Sequence, residues 1–429
     1  MKKACCLLIV VSFLWQGCQS RKEEVISYDI VLQNPLNIQR NDEAVVFSYD
    51  KLQSLVGEIP ADKIPVFQVN GNPITSQIDD LNDDGEWDEA LLLYSFQPNE
   101  TVNCQVIFIS KENFSPFSNR TDAALFLSPN RDKTGYQRVK TEVMPAETSS
   151  DFQKTVLSYQ MEGPAWENDK VAFRSYFDYR NGKDIFGKVI ADLCLDTIGR
   201  SGDYHQMQYW GMDILKVGNS LGAGALAVLE NNQLFRLGKA DEIRYEFVTS
   251  GPIRSMIRLH YKGWKFNNNN LNVVHQISIY AGKYAYRSDV TMSGYTESKE
   301  LVSGIVTMKL KDTPVLEETK SFVILATHDK QSELTPEPDY LGMGLLVPKQ
   351  IFIGQGNAPV KDKWEGDEIV NTYYARMQAA PNTPITFYFY AGWEKSNPDF
   401  ANKSKFLELL RQDAECLSNP IIVNKASSQ

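Results

Sequence analysis

Short runs in which apolar and polar side chains alternate recur along the chain, and they constrain the fold more than any other feature. These runs cover residues 102–109, 170–178, 253–261, 273–280, 284–292 and 385–390. A period of two places alternate side chains on opposite faces of a strand, as in a sheet with one buried face. Turn pairs such as Asn70-Gly71 and Asn181-Gly182 are typical of hairpins. The sequence therefore predicts an all-β chain.

The predicted β regions form two domains. The composition changes around residues 144–151, where Pro145 and a Ser- and Thr-containing stretch separate two strand-rich parts. We expect a small β-sandwich domain over residues 25–145 and a large antiparallel β-sandwich over residues 146–429. By analogy, the larger sandwich is compared with galactose-mutarotase-like folds. Residues 403–416 are predicted to form one short amphipathic helix near the C-terminus.

The first residues have the pattern of an export signal. Residues 1–17 combine two lysines with a short apolar run, and Cys18 follows Gly17. This pattern predicts a lipoprotein signal peptide, diacylation of Cys18 and a linker over residues 18–24. Basic and then acidic residues follow Cys18, so we expect an outer-membrane lipoprotein, either surface-exposed or facing the periplasm. Cleavage by an ordinary signal peptidase is the alternative.

Charge and cysteine content exclude several functions. The net charge is −10, and no basic stripe is available to neutralise phosphates, which argues against nucleic acid as a partner. Outside the leader, Cys104, Cys194 and Cys416 are widely spaced. This spacing fits neither a disulfide framework nor a metal site, so we interpret them as buried small residues.

An acidic segment in the smaller domain resembles a calcium loop. Its oxygen-bearing residues are Asp80, Asn82, Asp84 and Asp88, with Gly85 at a sharp turn. The twelfth position counted from Asp80 is Leu91, so the bidentate glutamate of an EF-hand is missing. The segment predicts either a structural calcium site or an acidic hairpin turn without metal.

Residues 162–216 combine aromatic, acidic and basic side chains more densely than any other region. An exposed row of such groups is how a β-sandwich presents a groove for sugar. The residues predicted to contact substrate are Trp166, Glu167, Asn168, Tyr176, Asp178, Trp210, Asp213 and Lys216. The two tryptophans are expected to stack on pyranose faces. A solvated strand face beside core aromatics is the alternative.

His205 is the histidine with the most promising surroundings, because it lies in a polar, aromatic and glycine-flanked segment. His260, His275 and His328 lie within or beside predicted strands. The chain contains no G-x-S-x-G and no H-E-x-x-H motif, so serine hydrolase and zinc protease functions have no support.

Several strings resemble one family of bacterial lipoproteins that is classified as a domain of unknown function and encoded beside polysaccharide-degrading enzymes. They are Glu162-Gly-Pro-Ala-Trp-Glu-Asn-Asp-Lys-Val-Ala-Phe-Arg174, Asp184-Ile-Phe-Gly-Lys188, Asp203-Tyr-His205 and residues 210–224, with 34–36 and 77–80 upstream. The family includes an ulvan oligosaccharide dehydratase. The resemblance implies removal of water from a non-reducing-end uronic acid, which leaves an unsaturated uronyl residue.

This reaction needs a cation for the carboxylate, a base for the C5 proton and an acid for the departing C4 hydroxyl. Arg174 and Lys188 are the predicted carboxylate ligands. His205 is the predicted base or acid, with Tyr204 or Tyr176 as its counterpart. No cofactor is expected for the chemistry, and the expected partner is a uronate-containing oligosaccharide.

Two other functions remain open from the sequence. A glycoside hydrolase or polysaccharide lyase is one, and a hydrolase would draw its acid and base from Glu162, Glu167, Asp178 or Asp213. The other is a glycan-binding lipoprotein without catalytic activity.

Overall fold

A computed structural model describes residues 26–144, 152–333 and 337–426. The predicted signal peptide, Cys18 and the linker lie outside the described residues. The strands are β1 (Ile26–Gln33), β2 (Arg40–Ser48), β3 (Lys63–Val69), β4 (Asn72–Pro73), β5 (Ser76–Asp79), β6 (Glu89–Phe96), β7 (Thr101–Ser110), β8 (Thr121–Leu127), β9 (Gln137–Val139), β10 (Thr141–Val143), β11 (Ala165–Asn168), β12 (Val171–Ser175), β13 (Lys183–Lys188), β14 (Gly211–Asp213), β15 (Ala223–Glu230), β16 (Gln233–Arg236), β17 (Glu242–Thr249), β18 (Arg254–Phe266), β19 (Asn269–Tyr280), β20 (Ala285–Ser293), β21 (Lys299–Val306), β22 (Val315–Glu318), β23 (Phe322–Lys330), β24 (Tyr340–Pro348), β25 (Phe352–Asn357), β26 (Thr372–Ala379), β27 (Ile385–Trp393) and β28 (Ile422–Lys425). The helices are α1 (Tyr49–Val56), α2 (Phe152–Ser158) and α3 (Lys403–Ser418), and 3-10 turns cover Lys111–Asn113, Gln160–Glu162 and Pro398–Ala401.

The first strands form a small sandwich. One of its sheets has the order β28-β1-β7-β3-β4, and the other has the order β2-β6-β5. Their apolar faces meet in a core in which the rings of Phe47 and Phe67 stack with centroids 5.3 Å apart. Helix α1 closes this core with Leu52 and Leu55, and the Ser48 hydroxyl accepts a hydrogen bond from the Lys51 N–H at its start.

The large sandwich is built on a nine-stranded antiparallel sheet with the order β10-β17-β18-β19-β20-β27-β24-β23-β22. Two smaller sheets, β14-β13-β12-β11-β8-β9 and β16-β15-β21-β26-β25, lie against its inner face. Phe173 and Ile185 from the first smaller sheet share one apolar core with Phe389 from the nine-stranded sheet. The predicted all-β architecture, a small β-sandwich before a large antiparallel one, is confirmed.

Helix α3 covers the outer face of the nine-stranded sheet. Phe406 and Leu410 pack there against strand residues such as Ile324. The sheet leaves room for them because a Cβ at Gly342 would lie 2.5 Å from the Phe406 ring. The predicted C-terminal helix is therefore confirmed, and it extends to Ser418.

The structure differs from the sequence predictions at two points. The strand predicted over residues 170–178 ends at Ser175, so Tyr176 and Asp178 belong to the loop that follows β12. The predicted domain boundary near residue 145 does not coincide with a change of sheet. Strand β8 already pairs with β11 of the large sandwich, while β28 returns to pair with β1 of the small one.

Among the described residues, the helices are all too short or too polar to cross a membrane.

Candidate active site

Three adjacent strands bring the first charged residues together. Arg174 on β12 lies opposite Asp184 on β13, and Asp213 on β14 lies opposite Phe186 on β13. Phe173, the neighbour of Arg174, points into the sandwich core. Because side chains alternate along a strand, Arg174, Asp184 and Asp213 share the outer face of this sheet.

The guanidinium of Arg174 is the centre of the cluster. Its Nη2 donates to Asp184 Oδ2 at 2.8 Å and to Asp213 Oδ2 at 2.9 Å. Its Nη1 donates to the Tyr204 hydroxyl and to the Met161 carbonyl, both at 3.1 Å. The residue is only 1% exposed. Arg174 therefore forms the floor of the site and binds protein groups with both of its Nη atoms.

Two carboxyl groups share this cation. Burial holds the pKa of Asp213 well above its usual value, and the adjacent Asp184 raises it further. The Tyr176 hydroxyl donates to Asp184 Oδ2 at 3.0 Å. Burial also holds the pKa of Tyr176 well above its usual value. Burial therefore favours the neutral form of Asp213 beside the Arg174 guanidinium.

A second arginine connects the floor with the surface. Arg180 Nη2 donates to Glu162 Oε2 at 2.8 Å and to Asp178 Oδ2 at 2.7 Å. Although burial alone would raise the pKa of Glu162, the positive charges of Arg174 and Arg180 lower it. Arg180 is 24% exposed, and its guanidinium lies over the Tyr176 ring at 4.1 Å from the centroid. Arg180 and Glu162 are thus an ionised pair within reach of a ligand.

The backbone before β11 is strained at the same place. Met161 and Glu162 have φ angles of +47° and +66°, in the left-handed region that residues other than glycine rarely adopt. The Met161 carbonyl accepts its hydrogen bond from Arg174 in this conformation. Strain of this kind persists when surrounding contacts fix it, and it clusters at functional sites.

His205 is the most exposed member of the cluster, with 55% of its side chain accessible. Its Nδ1 lies 3.5 Å from Asp213 Oδ2, and its ring centroid lies 4.5 Å from that of Tyr204. The Tyr204 hydroxyl donates to Glu162 Oε1 at 3.4 Å. Burial raises the pKa of Tyr204, so its phenol keeps its proton at neutral pH. The arrangement places an imidazole and a phenol side by side, next to the buried charged groups of Arg174 and Asp213.

Lys188 lies elsewhere, which corrects the prediction that it binds a substrate carboxylate. It faces Gly211, four residues along β13 from the Arg174 partner Asp184. Its Nζ donates to Glu167 Oε2 at 2.5 Å, and both side chains are fully buried. The N–H groups of Cys194 and Leu195 donate to the other Glu167 oxygen. This ion pair is a buried structural element without access for a sugar.

Four other residues that were predicted to contact substrate are either buried or lie outside the cluster. Trp166 and Trp210 are both buried, Trp166 against Phe173 and Trp210 against Phe186, so neither ring offers a face to a pyranose. Asn168 is buried as well, and its Nδ2 donates to two backbone carbonyls. Lys216 is exposed and lies outside the cluster, with its Nζ 3.8 Å from Glu333 Oε1.

The structure thus brings six of the predicted residues together and adds three that were not predicted for the dehydratase site. The six are Arg174, Tyr176, Asp178, Tyr204, His205 and Asp213. The three are Glu162, Arg180 and Asp184, of which Glu162 had been considered only for a hydrolase. Asp184 could have been found from the sequence by pairing the residues on either side of the hairpin connection at 176–182. That pairing places Asp184 opposite Arg174.

In the acidic loop, the side chains bind the loop's own backbone. Asp80 Oδ2 accepts from the Gly85 N–H at 2.8 Å, and Asp88 Oδ2 accepts from the Leu81 N–H at 2.6 Å. The described part of the chain has no group of three or more His, Cys, Asp or Glu side chains placed to hold a metal ion. Calcium binding by Asp80, Asn82, Asp84 and Asp88 stays a prediction.

A family of unknown function matches almost the whole chain. The match covers residues 32–423, and the family is described as a "Domain of unknown function (DUF4861)". The chain belongs to DUF4861. Another protein similar to this DUF4861 chain is "Uncharacterized protein P7" of Formosa agariphila, which is 22% identical over 97% of both chains.

Solved structures resemble the DUF4861 chain more weakly. An α-mannosidase from Enterococcus faecalis V583 aligns with a TM-score of 0.46 at 9% identity, over 94% of this chain and 46% of that one. A glycosyl hydrolase family 38 protein from Enterococcus faecalis has a TM-score of 0.49 at 9% identity, over 94% and 48%. The chain therefore spans about half the length of those two proteins. A putative aldose 1-epimerase from Klebsiella pneumoniae has a TM-score of 0.31 at 9% identity, over 72% and 98%.

Proposed function

We propose that this protein removes water from a uronic acid at the non-reducing end of an oligosaccharide, and that the cluster around Arg174 is its active site. The observation that carries the proposal is the placement of the exposed His205 beside the protonated phenol of Tyr204, above a buried guanidinium. A base and an acid on one surface, next to positive charge, meet the demands of elimination beside a carboxylate. The sequence resemblance supports carbohydrate as the substrate.

In this proposal His205 removes the proton from C5, which lies next to the carboxylate. The electron pair forms the C4–C5 double bond as the C4–O bond breaks, and Tyr204 protonates the leaving oxygen to give water. The imidazolium then returns its proton to the phenolate through solvent, so the enzyme is restored. Arg174, which donates to the Tyr204 hydroxyl, stabilises the phenolate in the meantime.

The substrate carboxylate is assigned to Arg180 in place of Lys188. Arg180 is the partly exposed cation of the cluster, whereas Arg174 is covered and Lys188 is buried with Glu167. The Nε and Nη2 of Arg180 already donate to Asp178, so the substrate carboxylate would take the place of Glu162 at Nη2. Glu162, which Arg180 already binds, would shift toward sugar hydroxyls when the substrate enters.

A glycoside hydrolase is the second candidate, and one observation favours it. The pKa of Asp213 is raised by burial, while the pKa of Glu162 is lowered by its arginine neighbours. Two carboxyl groups with pKa values pushed apart are the arrangement of a general acid and a nucleophile or base in glycosidases.

The test incubates purified protein with uronate-ended oligosaccharides and follows ultraviolet absorbance of the unsaturated uronyl product together with product mass. Loss of one water with rising absorbance, without chain cleavage, is the expected result. Cleavage with rising absorbance would indicate a lyase, and cleavage without it a hydrolase. Binding without any product would contradict catalysis.

Two variants test the assigned roles. His205→Ala and Tyr204→Phe are each expected to lower kcat about 10²–10⁴-fold, the range for loss of a general acid or base. Gln206→Ala and Tyr209→Phe are matched controls on the same loop, and Tyr209 is 68% exposed. Full turnover in His205→Ala would remove the imidazole from the mechanism.

We also propose that Cys18 anchors the protein to the outer membrane. A Cys18→Ser variant is expected to lose incorporation of a fatty-acid label and to leave the membrane fraction, because two or more acyl chains are needed for stable anchoring. Cys5→Ser, within the predicted leader, is the control and should keep the label. Labelled Cys18→Ser protein would contradict the proposal.

A further inference from the structure

A cavity of about 250 Å³ lies where the small sandwich meets the large one. Its walls come from β2, from β20 and β27 of the nine-stranded sheet, and from the C-terminal end of α3. Residues of the candidate active site do not line it. The junction between two folding units is a common place for a ligand site.

Three cations face this junction cavity. Arg40 is almost completely buried, and its two Nη atoms donate to the carbonyls of Asn419 and Cys416 at the end of α3. Its buried Nε has no hydrogen-bond partner within the described residues. Arg287 donates to Asp289 through Nε and Nη2, and Nη2 also contacts the Thr386 hydroxyl, so Nη1 has no acceptor among the described residues and can donate to a ligand. Arg287 thus keeps a donor available for a ligand, whereas the unpaired Nε of Arg40 is enclosed by protein atoms.

Lys283 is the third cation, and two carboxyl groups accompany it. Its Nζ lies 3.5 Å from Glu43 Oε2, and Glu43 also accepts a hydrogen bond from Arg40 at 2.6 Å. Burial raises the pKa of Asp413, the other acid of the wall, beside the Tyr390 hydroxyl. Arg40 and Lys283 thus share the carboxylate of Glu43, Arg287 has Asp289 as its partner, and burial favours the neutral form of Asp413.

The remaining walls are aromatic and apolar. Tyr280, Tyr388 and Tyr390 line the interior, and Val46 and Leu417 are exposed apolar residues of the lining. Aromatic rings beside cations and hydrogen-bonding groups suit a ligand with an apolar face, hydroxyls and a negative charge. A volume of about 250 Å³ lies below the roughly 300–1,000 Å³ of sites for drug-sized ligands, which fits one sugar residue.

We propose that the junction cavity is a second, non-catalytic site that binds a single carboxylate-bearing pyranose, with Arg287 as the carboxylate ligand and Tyr388 beside the ring. The choice of a uronate as ligand rests on the proposed function, whereas the site itself does not. Binding there would hold a uronate-containing chain close to the enzyme and tie the two sandwiches together.

The test titrates the full mature chain with D-glucuronate by calorimetry and compares D-glucose, which lacks the carboxylate. We expect saturable glucuronate binding that persists in His205→Ala. Arg287→Met should weaken it about tenfold or more, because it removes a charge-assisted hydrogen bond to the carboxylate. Arg411→Met, on the exposed face of α3, is the control and should bind as the wild type does.

Lys283→Gln is a second variant in case Arg287→Met does not fold, and it should also weaken binding. Absence of saturable glucuronate binding, equal affinity for glucose, or unchanged affinity in the folded cavity variants would each overturn the proposal. Elimination activity, followed separately, distinguishes the two sites. Binding without turnover would leave this proposal standing while the proposed function falls, and turnover without binding at the cavity would do the reverse.

Discussion

At the scale of single residues, Lys183 is a buried amine without a hydrogen-bond partner among the described residues, which destabilises the fold. Burial lowers its pKa to about 7. Burial, and secondarily the charge of Lys183, also holds the pKa of the buried His275 well below its usual value. Burial therefore favours the neutral form of both side chains.

Replacing this lysine should stabilise the protein. The unfolded chain binds a proton at Lys183 up to about pH 10.5, whereas the folded chain releases it near pH 7, so wild-type stability should rise between these values. Lys183→Met should add about 4 kcal/mol to the free energy of unfolding at pH 7, because the cost of deprotonation disappears. Urea unfolding at pH 7 and pH 10 measures this, and a gain that does not shrink at pH 10 would contradict it.

Arg174, in contrast to Lys183, stabilises the folded protein. Its removal would leave Asp184 and Asp213 buried without their cation. Arg174→Met should lower the free energy of unfolding by about 3–5 kcal/mol, the usual cost of breaking a buried ion pair from one side. Arg376→Met, which removes a partly exposed pair with Glu300, is the matched control and should cost about 1 kcal/mol. Equal losses in the two variants would contradict the assigned role.

At the scale of elements, the site depends on how β14 approaches β13. Gly211 begins β14 with a φ of +135°, and a Cβ there would lie 1.8 Å from the Gly187 carbonyl oxygen. Gly187 in turn lets the Trp393 ring approach β13, since a Cβ would lie 2.3 Å from it. Gly211 therefore lets β14 lie close to β13, and Gly187 lets the Trp393 ring lie close to β13.

Gly211→Ala should therefore cost about 3 kcal/mol of stability and reduce activity, because backbone atoms must move to admit the methyl group. Gly57→Ala is the matched control. Gly57 also has a positive φ, +91°, but open space around its Cβ position, so about 1 kcal/mol is expected. Thermal unfolding and turnover of both variants measure the difference, and equal losses would show that contact with Gly187 is unimportant.

The sequence was most informative where a signal is local. Alternation predicted the strands, and an apolar face predicted helix α3, because both patterns depend only on neighbouring residues. The sequence was least informative where the packing of one sheet against another decides whether a side chain is buried. Alternation could not show that Trp166 packs into the core or that Lys188 is buried against Glu167. Arg174 and His205 were recognised by residue type, but their meeting depends on strand register and on a loop.

At the scale of the whole molecule, Arg120 ties the two sandwiches together. It donates to both oxygens of Asp42 in the small sandwich, at 2.8 and 2.9 Å, and to Asp169 beside β11 at 2.7 Å. The hydrogen bond from Arg120 is the main reason that the pKa of Asp42 is lowered. The lowered value means that this contact stabilises the fold above the unfolded pKa of Asp42, near 3.8.

Arg120→Met should lower the free energy of unfolding by about 1 kcal/mol at pH 7, a small value because the pair is partly exposed. The deficit should shrink as the pH falls below about 3.8, where Asp42 becomes protonated in the unfolded chain. Urea titrations at pH 7 and pH 3 provide the comparison. A deficit that grows in acid would assign the stabilisation to another group.

The pairing of β1 with β28 has a mechanical consequence. Ile30 lies opposite Lys425 and Gln33 opposite Ile422, so the start of β1 and the end of β28 leave the ladder at the same side. In this antiparallel geometry, force applied at Ile26 and Lys425 meets the hydrogen bonds one rung after another, as in the opening of a zipper. Stretching should therefore peel β28 away at low force before either sandwich yields.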